Sequence, residues 1–294
     1  MTRAGPDPEG GEAGDELAET VEISAPAKLT LSLRLTGVRP DGYHEIESEM
    51  VTLDLADTLL IGPGDGLTVE PAATTFDDTA DGGRSNGPAP DVSDLSAGDD
   101  NLVTRALEAV GRTARVRLIK RIPMGAGLGG GSADAAAILR WAGCADLGVA
   151  AELGADVPFC VGGGRALVKG IGESVTAVSY QDQEFTLLLP PFGVNTGEVY
   201  RAWDALAGTG SPPAERRSGN DLEAPAMAVE PRLALWREAL SAATGAEPRL
   251  AGSGSTWFVE GRPDTFGLQG RGSLRVGSAW GRLLGARTVP AIQP

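Results

Sequence analysis

The sequence lacks the features that mark exported, membrane-spanning or disulfide-bonded proteins. Only two cysteines occur in 294 residues, and the spacing of Cys144 and Cys160 fits no metal site, which indicates reduced thiols. No run of about 18 apolar residues is present, so no membrane-spanning helix is expected. The first residues contain no apolar stretch of the signal-peptide type. Together these absences predict a cytoplasmic protein.

Positive charge is scarce as well. The net charge is −15, because 25 Lys and Arg residues stand against 40 Asp and Glu residues. A surface this acidic repels polyanions, so we expect neither nucleic acid nor an anionic membrane as a partner. An anionic small molecule would need a local site of positive potential. The few cationic or N–H-rich segments are therefore informative.

Strand and helix patterns are distributed irregularly along the chain. Residues 1–19 are acidic and rich in Gly and Pro, which predicts a disordered tail. From Leu29 to Leu35 leucines alternate with polar residues, the period of a half-buried strand. Runs of strands precede helices, which favours an α+β fold over a doubly wound α/β fold.

Turn-forming residues dominate the stretch 62–100, which predicts a long surface loop with one short strand near Leu67–Glu70. Asp99 or Asp100 is the expected N-cap of the helix that follows. Further elements are expected at 102–110 (helix), 116–118 (strand), 133–141 (helix), 161–174 (strand and turn), 185–189 (strand), 198–206 and 231–243 (helices), and on both sides of 252–255 (strands).

A glycine-rich turn lies between a predicted strand and an Ala-rich helix. Five of the seven residues from Gly125 to Gly131 are glycine, and Ser132 follows them. Glycine allows positive φ and a close approach of the backbone to a ligand. The first turn of the helix offers unpaired N–H groups and a partial positive charge, so the segment predicts a phosphate site. The alternative is a turn whose glycines only permit tight packing.

Other phosphate-binding patterns fit this turn less well. Residues 125–130 match the string G-x-G-x-x-G, but a dinucleotide site also needs an acidic residue at the end of a parallel strand. Asp146 has about the right separation, yet no strand pattern precedes it. A Walker P-loop requires a lysine after the last glycine, and the motifs of protein kinases are absent too.

Four segments resemble the GHMP superfamily of small-molecule kinases, named after galactokinase, homoserine kinase, mevalonate kinase and phosphomevalonate kinase. The ATP-binding motif of the superfamily is similar to residues 123–136 (PMGAGLGGGSADAA), and its third motif to residues 250–256 (LAGSGST). Residues 24–31 with 41–45, and residues 153–159 (LGADVPF), resemble the family of 4-diphosphocytidyl-2-C-methyl-D-erythritol kinases. The resemblance extends from about Val21 to about Val259.

This resemblance implies a fold and a reaction. The fold would be the two-domain GHMP kinase fold, with a ribosomal-protein-S5-like, ATP-binding half over residues 20–180 and a ferredoxin-like half over 181–294. The enzyme would use ATP and Mg²⁺ to phosphorylate the 2-hydroxyl of the cytidine diphosphate-linked methylerythritol of the non-mevalonate isoprenoid pathway. Alternatives are a related kinase for homoserine, mevalonate or a sugar, a dinucleotide-binding oxidoreductase, and an inactive member that only binds ligands.

The resemblance also assigns catalytic roles. Asp156 corresponds to the general base, although an aspartate before Val157-Pro158 is also typical of a helix N-cap or turn. Lys28 corresponds to the lysine that accompanies this base and stabilises charge as the hydroxyl attacks. On its own, a lysine is most often a solvated surface residue.

Binding residues follow in the same way. Tyr43 and His44 correspond to the residues that hold the cytosine ring, and Tyr200 to a second aromatic wall. Thr30 and Thr196 are the other expected substrate contacts. The ATP site comprises Pro123, Met124, Gly125, Ala126, Gly127, Leu128, Gly129, Gly130, Gly131 and Ser132, with Asn101 and Lys120 near the adenine. Ser132 is the expected Mg²⁺ contact, and Gly252, Ser253 and Gly254 are expected to line the site.

The sequence departs from the family pattern at three places. Thr30 stands where the family commonly has Asn, and Ala133 replaces a second Ser of the phosphate motif. The segment between Ser132 and Asp156 is short, with little room for the second helix that the family has there.

Overall fold

The computed structural model describes residues 20–72, 76–77, 84–85, 97–207 and 219–292. The predicted tail at 1–19 lies outside the described residues, as does most of 73–96 in the predicted loop. Within these ranges, every helix is too short or too polar to cross a lipid bilayer.

Two long antiparallel strands dominate the first sheet. β1 (Val21–Val38) pairs with β2 (His44–Gly62) from Val21 opposite Ile61 to Val38 opposite His44. The other strands are β3 (Gly66–Pro71), the short pair β4 (Phe76–Asp77) and β5 (Arg84–Ser85), β6 (Arg115–Lys120), β7 (Arg165–Gly170) and β8 (Ser174–Ala177). The sheet has the order β3-β6-β2-β7-β8, with β1 added on β2, while β4 and β5 pair only with each other.

β1 is buried on both faces over residues 27–30, whereas the rest of the predicted half-buried strand, residues 31–35, is only partly buried. Ala27, Leu29 and Thr30 of β1 are all buried, on both faces of the strand. The reason is that α2 (Gly130–Trp141) packs against β1, and the glycine turn that precedes α2 bonds to it through Lys28 N–H and the Leu128 carbonyl at 3.0 Å. The centre of β1 is therefore placed directly beneath the glycine turn.

Three helices accompany α2 in this half. They are α1 (Leu102–Ala109), α3 (Leu147–Leu153) and α4 (Val157–Gly162). The short segment between Ser132 and Asp156 has room for the seven-residue helix α3 after α2. Alanines 133 and 135–137 of α2 are buried because the helix lies closely against β1, α1 and α4.

Two predicted helix starts need correction. The N-cap of α1 is Asn101 rather than Asp99 or Asp100, because the Asn101 side chain accepts the N–H of Val103 at 2.9 Å. Helix α2 begins at Gly130 rather than at 133, directly after Gly129 in the left-handed region at φ 67°. The last glycines of the turn therefore form the first turn of the helix.

A second sheet follows in the chain. Its strands are β9 (Glu184–Leu189), β10 (Arg249–Leu250), β11 (Trp257–Glu260), β12 (Ser273–Val276) and β13 (Ala279–Arg287), in the antiparallel order β10-β11-β9-β13-β12. Helices α5 (Thr196–Ala207), α6 (Glu223–Val229) and α7 (Arg232–Thr244) and a 3-10 helix (Pro263–Phe266) belong to the same part. The predicted domain boundary at 180 falls between β8 and β9.

Candidate active site

The glycine turn has the backbone of an anion site. Gly125, Gly127 and Gly129 have φ values of 66°, 76° and 67°, which favour glycine. No side chain caps α2, because its N-cap is Gly129. The N–H groups of its first turn are therefore available to phosphate oxygens, and this arrangement fits the ATP phosphates.

The third motif holds the turn from the side of the second sheet. The Gly125 carbonyl accepts the N–H groups of Val194 at 3.1 Å and Ser255 at 3.0 Å, and the Ala126 carbonyl accepts that of Thr256 at 3.1 Å. A Cβ on Gly127 would overlap the carbonyl oxygen of Ala251. The two motifs, far apart in sequence, are thus joined by backbone hydrogen bonds and close packing.

Replacing Gly127 with Ala is expected to abolish tight nucleotide binding. The methyl group would push the turn away from Ala251, and positive φ adds a strain of about 1–2 kcal/mol. Gly143→Ala is the matched control, because Gly143 has φ 71° but no atom within 4 Å of its added Cβ. Titration calorimetry with ATP checks this, and equal affinities for the two variants would contradict it.

Lys28 and Asp156 form an ion pair beside this turn. Lys28 Nζ lies 3.1 Å from Asp156 Oδ2, and the two side chains are 6% and 30% exposed. The lysine stem packs on Gly129, where an added Cβ would lie 2.7 Å from Lys28 Cγ. The structure thus brings together the two predicted catalytic residues, at the edge of the predicted phosphate site.

The Asp156 carboxylate pairs with Lys28 and does not cap a helix. Asp156 occupies the N-cap of α4, as the structural alternative expected, but its side chain makes no capping hydrogen bond. Asp146 at the N-cap of α3 does cap its helix, through the N–H of Gly148 at 2.8 Å. The Asp156 carboxylate is therefore directed to Lys28. Asp146 stands at the start of a helix, whereas a dinucleotide site requires its acidic residue at the end of a parallel strand.

Thr30 contacts the lysine. Its hydroxyl accepts a hydrogen bond from Lys28 Nζ at 3.1 Å, and the residue is 1% exposed. A direct contact with substrate stays a prediction. The observed bond gives the shorter Thr side chain a role in orienting the ammonium toward Asp156.

The expected base-binding residues gather at the start of β2 and on α5. The His44 ring lies 4.9 Å from the Tyr200 ring and 5.4 Å, edge-on, from that of Trp203. His44 Nε2 is 2.7 Å from Asp204 Oδ1. Burial, and next the negative charge of Asp156, raise the pKa of Tyr200 to about 12, so its hydroxyl stays protonated. Tyr43 projects outward and is 60% exposed.

Thr196 joins α5 to the third motif. Its hydroxyl lies 2.8 Å from that of Ser253, so the predicted substrate residue and the predicted lining residue are in contact. Gly252 faces the predicted catalytic lysine, because an added Cβ would lie 3.4 Å from Lys28 Nζ. Gly254 follows on the same loop, at φ 92°.

Lys120 is buried beside the glycine turn, and its place near the adenine stays a prediction. Its ammonium is buried between the carboxylates of Asp57 and Asp134, at 2.7 Å from Asp134 Oδ2. Burial disfavours its charge, but the two carboxylates outweigh burial and raise the pKa of Lys120. Burial also disfavours the charged form of Asp134, and for a carboxyl group this raises the pKa, to about 7. The side chain therefore ties β2, β6 and α2 together beneath the turn.

The Mg²⁺ prediction rests on one residue. Ser132 is half-buried in the first turn of α2, where its hydroxyl is an oxygen ligand of the kind that Mg²⁺ prefers. Among the described residues, no group of three or more His, Cys, Asp or Glu side chains is placed to hold a metal. A protein oxygen with the nucleotide phosphates is the usual arrangement for Mg²⁺ in kinases.

Sequence reasoning missed three residues of the site region, Trp203, Asp204 and Asn220. The Asn220 side chain donates to the carbonyls of Leu250 and Gly252 at 2.9 and 2.7 Å. The only signal in the sequence was the Gly219-Asn220-Asp221 turn, which predicts a loop but no partner.

Comparison with known proteins gives similarities over most of the chain. Residues 101–164 match the family described as GHMP kinases N terminal domain. A 4-diphosphocytidyl-2-C-methyl-D-erythritol kinase from Paracoccus denitrificans is 37% identical over 252 residues, covering 80% of this chain and 85% of the relative. One from Rhodospirillum rubrum is 35% identical over 309 residues, covering 93% and 96%. A crystal structure of 4-(cytidine 5'-diphospho)-2C-methyl-D-erythritol kinase matches with a TM-score of 0.62 and 31% identity, covering 92% of this chain and 100% of that one.

Proposed function

The chain belongs to the 4-diphosphocytidyl-2-C-methyl-D-erythritol kinase family of GHMP kinases, and on this basis we propose that Lys28 and Asp156 carry its reaction. It is a small-molecule kinase that transfers the γ-phosphoryl group of ATP to the 2-hydroxyl of 4-diphosphocytidyl-2-C-methyl-D-erythritol. The observation that carries the assignment of the site is the 3.1 Å ion pair between Lys28 and Asp156 at the edge of the glycine turn.

Asp156 acts as the general base. Its carboxylate accepts the proton of the 2-hydroxyl as that oxygen forms a bond to the γ-phosphorus and the bond from phosphorus to the bridging oxygen of ADP breaks. The carboxylate is available because it does not cap α4 and is partly exposed.

Lys28 holds the base and supplies positive charge. Its Nζ is fixed by Asp156 and Thr30, so little reorganisation is needed when negative charge develops on the reacting oxygens. The segment from Gly125 to Ser132 would bind the phosphates through backbone N–H groups. Mg²⁺, with Ser132 as its protein ligand, would neutralise phosphate charge when bound.

The site described around His44 supports recognition of the pyrimidine. Tyr43 would stack on the ring, and His44, fixed by Asp204 and by its contacts with Tyr200 and Trp203, would hydrogen-bond the base edge. These residues would distinguish the cytidyl substrate from homoserine or mevalonate, which have no aromatic ring.

Two free cysteines suit the reducing cytoplasm, to which we assign the enzyme. Burial, and next the charge of Asp156, raise the pKa of Cys160 to about 12, so its thiol remains protonated and unreactive.

The function is tested by measuring ADP release with a panel of acceptors. The purified protein with ATP and Mg²⁺ should turn over 4-diphosphocytidyl-2-C-methyl-D-erythritol and leave homoserine, mevalonate and simple sugars almost untouched. Turnover of one of those acceptors, without turnover of the cytidyl substrate, would refute the assignment.

Tyr43→Ala should raise KM for the cytidyl substrate about tenfold, because stacking on an aromatic ring contributes about 1–3 kcal/mol per base. KM for ATP should not change, and folding should not suffer, since Tyr43 is largely exposed. Trp280→Ala removes another exposed aromatic side chain and is the control. An unchanged KM for the cytidyl substrate in the Tyr43 variant would argue against stacking.

A further inference from the structure

A single residue of the third-motif loop, Gly252, covers the catalytic lysine. Gly252 of the third motif lies over Lys28 and Thr30, since an added Cβ would be 3.4 Å from Lys28 Nζ and 3.6 Å from Thr30 Oγ1. On its other side the Gly252 carbonyl accepts a hydrogen bond from Asn220 Nδ2 at 2.7 Å. Gly252 is thus enclosed between a catalytic residue and a buried amide.

Asn220 itself is fixed to the strand that carries Lys28. The N–H of Leu33 donates to the Gly219 carbonyl at 2.9 Å, and the N–H of Asp221 donates to the Leu33 carbonyl at 2.9 Å. The carboxylate of Asp221 accepts the N–H of Leu35 at 2.9 Å. Residues 219–221 therefore run beside β1 as a short parallel extension, with Leu33 bridged to Asn220.

These contacts close a ring. It runs from Lys28 along β1 to Leu33, across to Asn220, through the Asn220 amide to Gly252, and back onto Lys28. We propose that Asn220 is a positioning residue for phosphoryl transfer, which sets the place of the Lys28 ammonium by holding Gly252 against it. The inference rests on the proposed catalytic role of the pair formed by Lys28 and Asp156.

The chemistry of the amide explains why Asn stands here. Its NH₂ group donates to two carbonyls at once, those of Leu250 and Gly252, while its oxygen accepts the N–H of Leu222 at 2.9 Å. A carboxylate of the same shape has no donor and would place an oxygen against two carbonyl oxygens. A serine has one donor. Replacing Asn220 first with Ser and then with Asp therefore weakens, in two steps, the hydrogen bonding of residue 220 to the Gly252 carbonyl.

The same loop is anchored at its other end by a different side chain. Ser255 Oγ donates to the Phe192 carbonyl at 2.6 Å, and Ser255 N–H bonds to Gly125 of the phosphate turn. Asn220 thus holds the end of the loop that meets Lys28, and Ser255 the end that meets the nucleotide site. The two anchors should affect different kinetic constants.

The experiment compares Asn220→Asp, Asn220→Ser and Ser255→Ala in the full chain. For Asn220→Asp we expect kcat to fall about 10²-fold, the size of effect that a displacement of about 1 Å at a reacting group produces. Nucleotide affinity should change less than about threefold, and Asn220→Ser should lie between this variant and the wild type. Ser255→Ala should show the opposite pattern, with a raised KM for ATP and a nearly unchanged kcat.

Calorimetric affinity for ATP, steady-state kinetics and thermal unfolding midpoints distinguish the outcomes. A folded Asn220 variant with kcat within about twofold of the wild type overturns the inference, as does a loss of ATP affinity as large as the loss of kcat. If Asn220→Asp does not fold, Asn220→Ser decides alone, by the same criteria. Failure of the proposed function shows separately, as wild-type protein without turnover of the cytidyl substrate or as full activity in Asp156→Asn.

Discussion

Replacing Asp156 with Asn should abolish turnover, lowering kcat by about 10³-fold or more, because general-base catalysis contributes up to about 10⁴. Asn keeps the size and shape of the side chain but cannot accept the proton of the substrate hydroxyl. Nucleotide affinity should remain close to that of the wild type, since the carboxylate contacts Lys28 rather than the glycine turn. Single-turnover phosphate transfer, with ATP affinity measured in parallel, checks both parts.

Asp146→Asn is the matched control for this variant. Both aspartates stand at the N-cap of consecutive short helices, but only Asp146 caps, and Asn caps almost equally well. The Asp146 variant should therefore keep full activity. If Asp156→Asn retained more than about a tenth of wild-type kcat, the residue would not be the base.

Replacing Lys28 with Met should lower kcat by about 10²–10³-fold, the usual cost of removing one preorganised charge from a transition state. Met is chosen because it keeps the apolar stem that packs on Gly129, so the phosphate turn should stay in place. The free energy of unfolding of the Lys28→Met variant should differ little from that of the wild type, because the Asp156 carboxylate that loses its partner is partly exposed. Steady-state kinetics with both substrates and a thermal unfolding curve test these expectations.

Lys169→Met serves as the control for lysine removal. Lys169 pairs with Glu47 at 2.8 Å on the exposed surface, where such an ion pair contributes little to stability. Lys28→Arg should not restore activity, since the wider guanidinium does not fit the space shared with Thr30 and Gly252. Recovery of activity in that variant would show that charge alone is sufficient.

Those parts of the site that lie in short contiguous segments could be predicted from the sequence. The glycine turn, the third motif and the pair formed by Lys28 and Asp156 all stand in recognisable local patterns, and the structure brings them together. The environment of Lys120 could not be predicted in this way. Its two carboxylate partners lie 63 and 14 residues away in the chain, so only the tertiary structure shows that the ammonium is buried.

Asn220 and Asp204 were missed for the same reason, because their partners are distant in the chain. Asn220 bonds to carbonyls 30 and 32 residues away, and Asp204 to a histidine 160 residues away, so neither belongs to a local motif.

Strand β13 was missed for a different reason. It contains Gly281 and Gly285, which argue against a strand, yet Gly281 is required because the Trp236 ring of α7 lies where a Cβ would be.

The closed ring through β1 also bears on protein synthesis. β1 is synthesised before its partner residues at 219–221 and before Gly252, which lies 224 residues after Lys28 in the chain. At a synthesis rate of about 5–20 residues per second, the lysine waits roughly ten to forty-five seconds for the loop that covers it. During that time β1 and β2 can pair as a hairpin, while the glycine turn still lacks the hydrogen bonds from Ser255 and Thr256 that hold it. A chain that ends before Gly252 therefore lacks the loop over Lys28, and we expect it to show no turnover of ATP in this reaction.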